Sequence, residues 1–363
     1  MTIKMYDCDF GDCFRITTTP ERNLFVDFGG VKRQAIDDIG KDSAFLLTHF
    51  HEDHFKNAMK IGAGDNKFKE VYIPDVWDVQ TCTDVVALLL LDSKINSKKS
   101  LIDFLLKVCD VNSGIIHFVR RGSQIEKDFI ALWPCQEYLK ARAGVIMNDI
   151  VSKVKICSDE RRESLFDIGK IRTIANQLIC FVVQYAENQS TESYKIELKK
   201  LNDAYESMNA FQANNMVGYQ LSNFGNLISI VFQNADSCEQ NVLFTGDFGK
   251  PKNTLWDMLE RECDGEVRMH KTYRDIKIPH HGTKGYYHSF VKYFSQNEDQ
   301  PTTIYIPNGC HCRETWRIDK RYSNDVNSVP CTVAQCTNND TCNAAMPNCQ
   351  CQRRNIVHSR DAI

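Results

Sequence analysis

An apolar segment at residues 44–48 runs directly into His49-Phe-His-Glu-Asp-His54, placing three imidazoles and a carboxylate within six residues of a strand end. Strand ends are where an α/β sheet places its ligands, so the segment points to a layered α/β fold. The spacing also has a chemical reading. His49 and His51, two apart in extended chain, project to the same side and can grip one metal ion. Asp53 and His54 then begin a helix and point at a second ion beside the first. Imidazole nitrogen and carboxylate oxygen suit zinc, with manganese or iron also compatible.

Two later segments supply more of the same chemistry. Val242-Leu-Phe-Thr-Gly-Asp247 is an apolar strand ending in Gly and a carboxylate, and Ile276-Lys-Ile-Pro-His-His-Gly282 is another ending in paired histidines. Strand-like segments also occur at residues 3–6, 13–16, 24–26, 71–73, 115–119, 129–133, 227–232 and 303–306. Helical spacing governs residues 76–111, and again 136–215, a Lys-, Glu-, Asn- and Ala-rich stretch that reads as a helical insertion between two halves of a sheet. Strands in both halves with helices between them predict an α/β sandwich.

Composition narrows the partners. The 363 residues carry 44 Lys+Arg against 47 Asp+Glu, a net charge of -3, so whole-surface binding of nucleic acid is disfavoured. Arg120-Arg121, residues 195–200 and residues 317–321 are basic clusters that read as solvated faces. The N-terminal residues lack a basic and then apolar signal, and the most apolar run, residues 85–91, is too short to span a bilayer. That run reads as a core helix. A cytoplasmic protein without a membrane segment is expected, and its 16 cysteines then argue for free thiols or metal over disulfides.

Taken together, these segments resemble the metallo-β-lactamase superfamily of metallohydrolases. The resemblance is nearest to the branch with the hydrolase domain of the bacterial DNA-uptake (competence) protein ComEC. It rests on Asp7-Cys-Asp-Phe-Gly-Asp-Cys13, similar to that branch's Asp-Val-Gly-Gln-Gly-Asp opening. Leu24-Phe-Val-Asp-Phe-Gly-Gly30, His49-Phe-His-Glu-Asp-His54, Asn226-Leu-Ile-Ser229, Phe244-Thr-Gly-Asp247 and Pro279-His-His-Gly282 then follow in the family order. The resemblance covers roughly residues 1–310. It implies a four-layer αββα metallo-β-lactamase sandwich with two divalent metals, zinc or manganese, in the cleft between sheet edges. By position, His49 and His51 would bind metal one, Asp53 and His54 metal two, and Asp247 would bridge them. One of His280 and His281 would complete metal two, the other donating to substrate, and Asp27 would orient a ligand from behind.

The chain departs from the pattern at one place. Many superfamily members carry another metal-one His before the bridging Asp, yet here no His occurs between His117 and His270. Trp133 stands in that place. Metal one would then rest on His49, His51 and Asp247 with water, or on an added thiolate from Cys135.

The implied activity is a metal-dependent hydrolase acting through a bridging hydroxide. The branch favours phosphodiesters in nucleic acids or nucleotides, with Asp53, His281 and Lys284 at the reacting group. Thr283, Tyr286, Tyr287 and His288 follow the paired histidines and are candidates to contact a phosphate. The alternatives are hydrolysis of a lactone, thioester or amide on the same metals, or a non-catalytic scaffold on the same fold.

The domain expectation is a hydrolase domain over residues 1–330, whose helical insertion could be a lid, a protein-partner surface or padding, and a Cys-rich tail over residues 331–363. Cys310, Cys312, Cys331, Cys336, Cys342, Cys349 and Cys351 would hold a structural zinc, or be spectators, and His311 could face substrate.

Overall fold

The computed structural model describes residues 1–363 except 7, 9–10, 20–21, 31–33, 63–66, 161–166, 189–190, 209–214, 250–254, 261–266, 296, 298, 300, 308–317, 329–332 and 337–363. Two mixed sheets form its centre. The first has strands β1 (Thr2–Met5), β2 (Phe14–Thr19), β3 (Arg22–Val26), β4 (Ser43–Leu46), β5 (Phe68–Pro74) and β6 (Asn112–Val119), hydrogen-bonded in that order. β1 to β3 are antiparallel; β3 to β6 run parallel. The second sheet runs from β7 (Gln124–Ile125) through β8 (Phe129–Trp133), β9 (Val231–Asn234), β10 (Val242–Phe244), β11 (Asp275–Lys277) and β12 (Thr303–Ile306) to β13 (Val333–Cys336). β7 to β10 are antiparallel, and β10 to β13 parallel.

Alternation along the strands sorts side chains into two cores. Ile3, Met5, Phe14, Ile16, Leu24, Val26 and Leu46 of the first sheet share one cluster with Phe129, Ala131, Phe232, Val242, Phe244 and Tyr305 of the second. Phe14 is the pin of this inter-sheet layer, edge-on to Phe244 at 5.2 Å and to Tyr305 at 5.9 Å. The alternate residues, such as Phe25, Phe45 and Val71 in one sheet and Leu243, Ile276 and Ile304 in the other, pack outward with the helices. The result is an αββα sandwich, the architecture that the resemblance implies.

After the single turns α1 (Gln34–Asp37) and α2 (Glu52–Phe55), helix α3 (Thr83–Asn96) contains the apolar run, and residues 85–93 are all buried. The helices α5 (Gln136–Glu160), α6 (Ile168–Asn188) and α8 (Asn215–Leu227) pack around it, which is why its apolar face has no polar complement. α4 (Leu101–Val111) and α7 (Thr191–Glu206) pair beside them. Ser100 separates α3 from α4 through a reciprocal capping box with Asp103. Among the described residues, no helix is long and apolar enough to cross a membrane.

Two boundaries differ from the sequence expectation. Residues 227–230 are not strand: α8 runs to Leu227, a turn closes from the Ser229 amide to the Asn226 carbonyl, and β9 begins at Val231. At the other end, Val333–Cys336 adds an edge strand to the second sheet. Cys310, His311, Cys312, Cys331, Cys342, Cys349 and Cys351 lie outside the described residues, as does the Cys336 side chain, and with them the tail zinc expectation.

Candidate metal centre

The site forms where the two sheets meet at one end. The loops following β3, β4, β10 and β11 all open there, together with the segment leading into β2, the arrangement expected of a strand-end site in an open sheet. The Ile230 amide donates to the Thr48 carbonyl at 2.8 Å and the His280 amide to the Gly246 carbonyl at 3.3 Å, so the loops are tied across. Gly11 sits at φ +83 with a would-be Cβ only 1.6 Å from the Asp53 carbonyl oxygen, so the opening segment can lie against the histidine loop only without a side chain.

Asp247 Oδ2 is the meeting point. It lies 3.2 Å from His54 Nε2, 3.3 Å from His281 Nε2, 3.7 Å from His280 Nε2 and 3.9 Å from His49 Nε2. Asp53 Oδ2 adds contacts of 3.4 Å to His281 Nε2 and 4.0 Å to His54 Nε2. His51 Nδ1 faces His49 Nε2 at 3.0 Å. Donors about 2.0–2.1 Å from a shared tetrahedral ion stand roughly 3.3–3.4 Å apart, so several of these separations match ligand edges. The buried groups Asp12, His54, Asp247 and His281 converge closely enough to hold a metal ion. Of those four, Asp12 has both oxygens engaged already, by His281 Nδ1 at 2.9 Å and by the Lys277 ammonium, which places it behind the cluster.

The outer ring nitrogens are engaged too. His51 Nε2 is 2.9 Å from Asp92 Oδ2, and His54 Nδ1 is 2.8 Å from Asp27 Oδ2. Thr48 gives its hydroxyl proton to Asp27 at 2.8 Å, so it accepts from His49 Nδ1 at 3.1 Å. Each of these rings therefore carries its proton outward and turns its other nitrogen inward, the arrangement found behind metal-binding histidines. Backbone strain gathers here as well. Asp27, His280 and His281 are three of four described non-glycine residues with positive φ, at 57, 44 and 57, a conformation costing about 1–2 kcal/mol per residue.

Charge explains why the cluster wants cations. Asp12, Asp27 and Asp247 face one buried ammonium, that of Lys277, which donates to the Gly246 carbonyl at 2.6 Å and approaches Asp247 Oδ1 at 3.5 Å, while Asp53 adds a further carboxylate beside His54 and His281. Burial pushes Asp247 up, but His281, His54, His280 and Lys277 outweigh it and hold the carboxyl well below the usual range. Burial likewise opposes charge on His54 and His281. Asp247 with Asp27, and Asp247 with Asp12, overcome it and raise both imidazoles well above their ordinary value. Burial keeps His49 well below that value and takes His280 down to about 4. Without metal, protons on His54 and His281 thus balance the acids, and a metal ion held here would take over that role by displacing them.

The sequence-derived residues do not all gather. His49, His51, Asp53, His54, Asp247, His280 and His281 meet, with Asp27 behind His54. Lys284 is exposed, with Asp319 as its electrostatic neighbour. Thr283 and Tyr286 contact His280, whereas Tyr287 bonds Asp325 and His288 stacks on Trp256. Trp133 is buried and donates Nε1–H to the Leu227 carbonyl at 2.6 Å. Cys135 Sγ is 3.5 Å from Glu137, and burial and that carboxylate raise its thiol, which disfavours a thiolate. Asp12, Lys277 and Asp92 join the site in roles that the motif reading does not assign. A Lys between two isoleucines of a buried strand and an Asp ending an all-apolar helical run were the available signals.

No family model and no curated protein matches the sequence. Among solved structures, the chain is similar to an isothiocyanate hydrolase from Delia radicum gut bacteria, at 10% identity across 97% of this chain and 89% of that one. The TM-score is 0.32, a likeness too distant to bear on function.

Proposed function

We propose that the chain is a dinuclear metal-dependent hydrolase, with phosphodiesters of nucleic acids or nucleotides as its substrate class. The observation that carries the metal reading is the convergence of four imidazole nitrogens on the single oxygen Asp247 Oδ2, at 3.2 to 3.9 Å. The phosphodiester reading rests on the motif resemblance to the ComEC branch. In this reading His49 and His51 hold one ion, Asp53, His54 and His281 the other, and Asp247 lies between them. Two divalent ions, zinc or manganese, would supply Lewis acidity and a water acidic enough to ionise near neutral pH.

The protein's own groups do the rest. Asp27, Asp12 and Asp92 hold His54, His281 and His51 in the ligating orientation. Lys277 engages Asp247 Oδ1 and leaves Oδ2 to face the imidazoles. Asp53, His51 and His280 keep partial solvent exposure while His49 and His54 are sealed, so substrate enters past the first three. Asp53 is the carboxylate at that mouth and the candidate to accept a proton from an incoming water.

Elemental analysis of the purified protein, followed by assay of bis(p-nitrophenyl) phosphate and a panel of lactones and thioesters, tests this reading. About two metals per chain with phosphodiester turnover, both lost in Asp247→Ala, are expected. Metal without phosphodiester turnover but with ester turnover would replace the substrate class. No metal after reconstitution would favour a scaffold on this fold.

A further inference from the structure

Within that dinuclear reading, the His49–His51 half is one donor short. The metal-two half has Asp53, His54 and His281 besides the shared carboxylate, whereas His49 and His51 have only each other and Asp247. The remaining described histidines are committed elsewhere: His117 to Glu70, His270 to the Asn234 carbonyl, His288 to a stack on Trp256. Cys135 faces Glu137.

His280 is not committed elsewhere. Its Nε2 reaches the same Asp247 Oδ2 at 3.7 Å, close to the 3.9 Å of His49 Nε2. Its ring is held on two sides. Tyr286 stacks on it with centroids 3.9 Å apart and planes 18° apart, and the Tyr286 hydroxyl is itself fixed by Asn226 at 2.9 Å and Asn223 at 2.7 Å. Thr283 donates its hydroxyl proton to the His280 carbonyl at 2.9 Å, so its oxygen accepts from His280 Nδ1–H at 2.5 Å. The proton is therefore on Nδ1, and the Nε2 lone pair faces the cluster. Successive left-handed backbone at His280 (φ 44, ψ 52) and His281 (φ 57, ψ 18) turns two adjacent rings toward one carboxylate.

We infer that His280 and His281 divide between the two ions, His281 completing the site of Asp53 and His54, and His280 serving, besides the shared Asp247, as the third protein ligand to the ion of His49 and His51. The paired histidines thereby make good the absence of any histidine between His117 and His270.

Cobalt(II) titration followed by visible absorption, with stoichiometry by elemental analysis, tests the division without recourse to turnover. Asn tolerates left-handed backbone, so His280→Asn should fold and keep one ion at wild-type affinity. It should lose affinity for the other by more than the roughly 10- to 100-fold cost of an outer-shell partner. His280→Gly should show the same loss, and added imidazole should restore it, which a merely structural role would not permit. His49→Ala combined with His280→Gly should lose no further ion, whereas His281→Asn should weaken the other one. Thr283→Val is the second route should the His280 variants fail to fold, and should weaken the same ion about 10- to 100-fold. Two ions at wild-type affinity in His280→Asn and in Thr283→Val would overturn the division and leave the hydrolase reading standing. A wild-type protein that binds one ion overturns the division and the dinuclear count with it, and one that binds none overturns the metal-dependent hydrolase reading as well.

Discussion

His51 Nε2 lies 2.9 Å from Asp92 Oδ2, so a carboxylate buried on helix α3, outside both sheets, decides which nitrogen of His51 faces the cluster. Asp92 Oδ1 is held in turn by Asn96 Nδ2 at 2.6 Å. Asp92→Ala should therefore weaken metal binding at the His49–His51 half about 10- to 100-fold, while Asp92→Asn, which keeps an acceptor, should lose far less. Competition against a chromophoric chelator measures this. Equal affinity in wild type and Asp92→Ala would show that His51 needs no such partner.

Gly225 should report on the same contact from the other side. A Cβ built there falls 2.4 Å from His51 Nε2 and 3.0 Å from Asp92 Oδ2. Within a helix, Gly→Ala ordinarily stabilises by about 0.5–1 kcal/mol. Gly225→Ala should instead lower metal affinity as Asp92→Ala does, because the methyl displaces His51. A variant that melts higher and binds metal normally would mean that α8 simply shifts away.

The ionisation pattern predicts how the metal-free protein responds to pH. His54 and His281 sit well above their ordinary value because Asp247, Asp27 and Asp12 outweigh burial. Their contribution is complete below about pH 6.5 and is lost as pH rises through their folded values. Burial lowers His49 and His280, so protonation in the unfolded chain costs stability below about pH 6.5, and stability rises from about pH 4 toward that point. The metal-free melting temperature should thus peak near neutrality and fall above it. Saturating zinc should flatten the alkaline fall, since metal replaces the two protons. Melting curves with and without chelator from pH 5 to 9 check this, and an alkaline limb indifferent to metal would contradict it.

Much of this site is written locally, and the rest is not. His49 to His54, Asp247 and the His280–His281 pair each end an apolar strand, and strand ends are legible from periodicity because a buried strand is short and sharply bounded. Two layers of sheet follow from that same alternation. The groups behind the ligands are a different matter. Asp92 acts from a helix 41 positions beyond His51, and Asp12 bonds His281 across 269 positions. Such pairs depend on how the sheets meet, which no local pattern encodes. Which of the paired histidines serves which ion is undecidable from sequence for the same reason: Asp12, which holds the His281 ring, lies 269 positions away.

Lys277 permits the sharpest electrostatic test. Its side chain is almost wholly buried, its ammonium is paired with Asp12, donates to the Gly246 carbonyl at 2.6 Å and approaches Asp247 Oδ1 at 3.5 Å. Burial disfavours the charge, but Asp12 and Asp247 overcome it and raise Lys277 above its ordinary value. Lys277→Met keeps the length of the side chain and deletes the charge. Without metal, Asp12 and Asp247 then lose a buried partner, a change that costs about 3–5 kcal/mol when one member of an ion pair is removed. With metal bound, Asp247 gains cations of its own, so the cost should shrink, and the variant should bind divalent ions more tightly because a competing positive charge has gone. Urea denaturation of wild type and Lys277→Met, each with chelator and with saturating zinc, yields all four stabilities. A destabilisation of the same size in both conditions would mean that the ammonium and the metal do not share Asp247, and the bridging role of that carboxylate would fall with it.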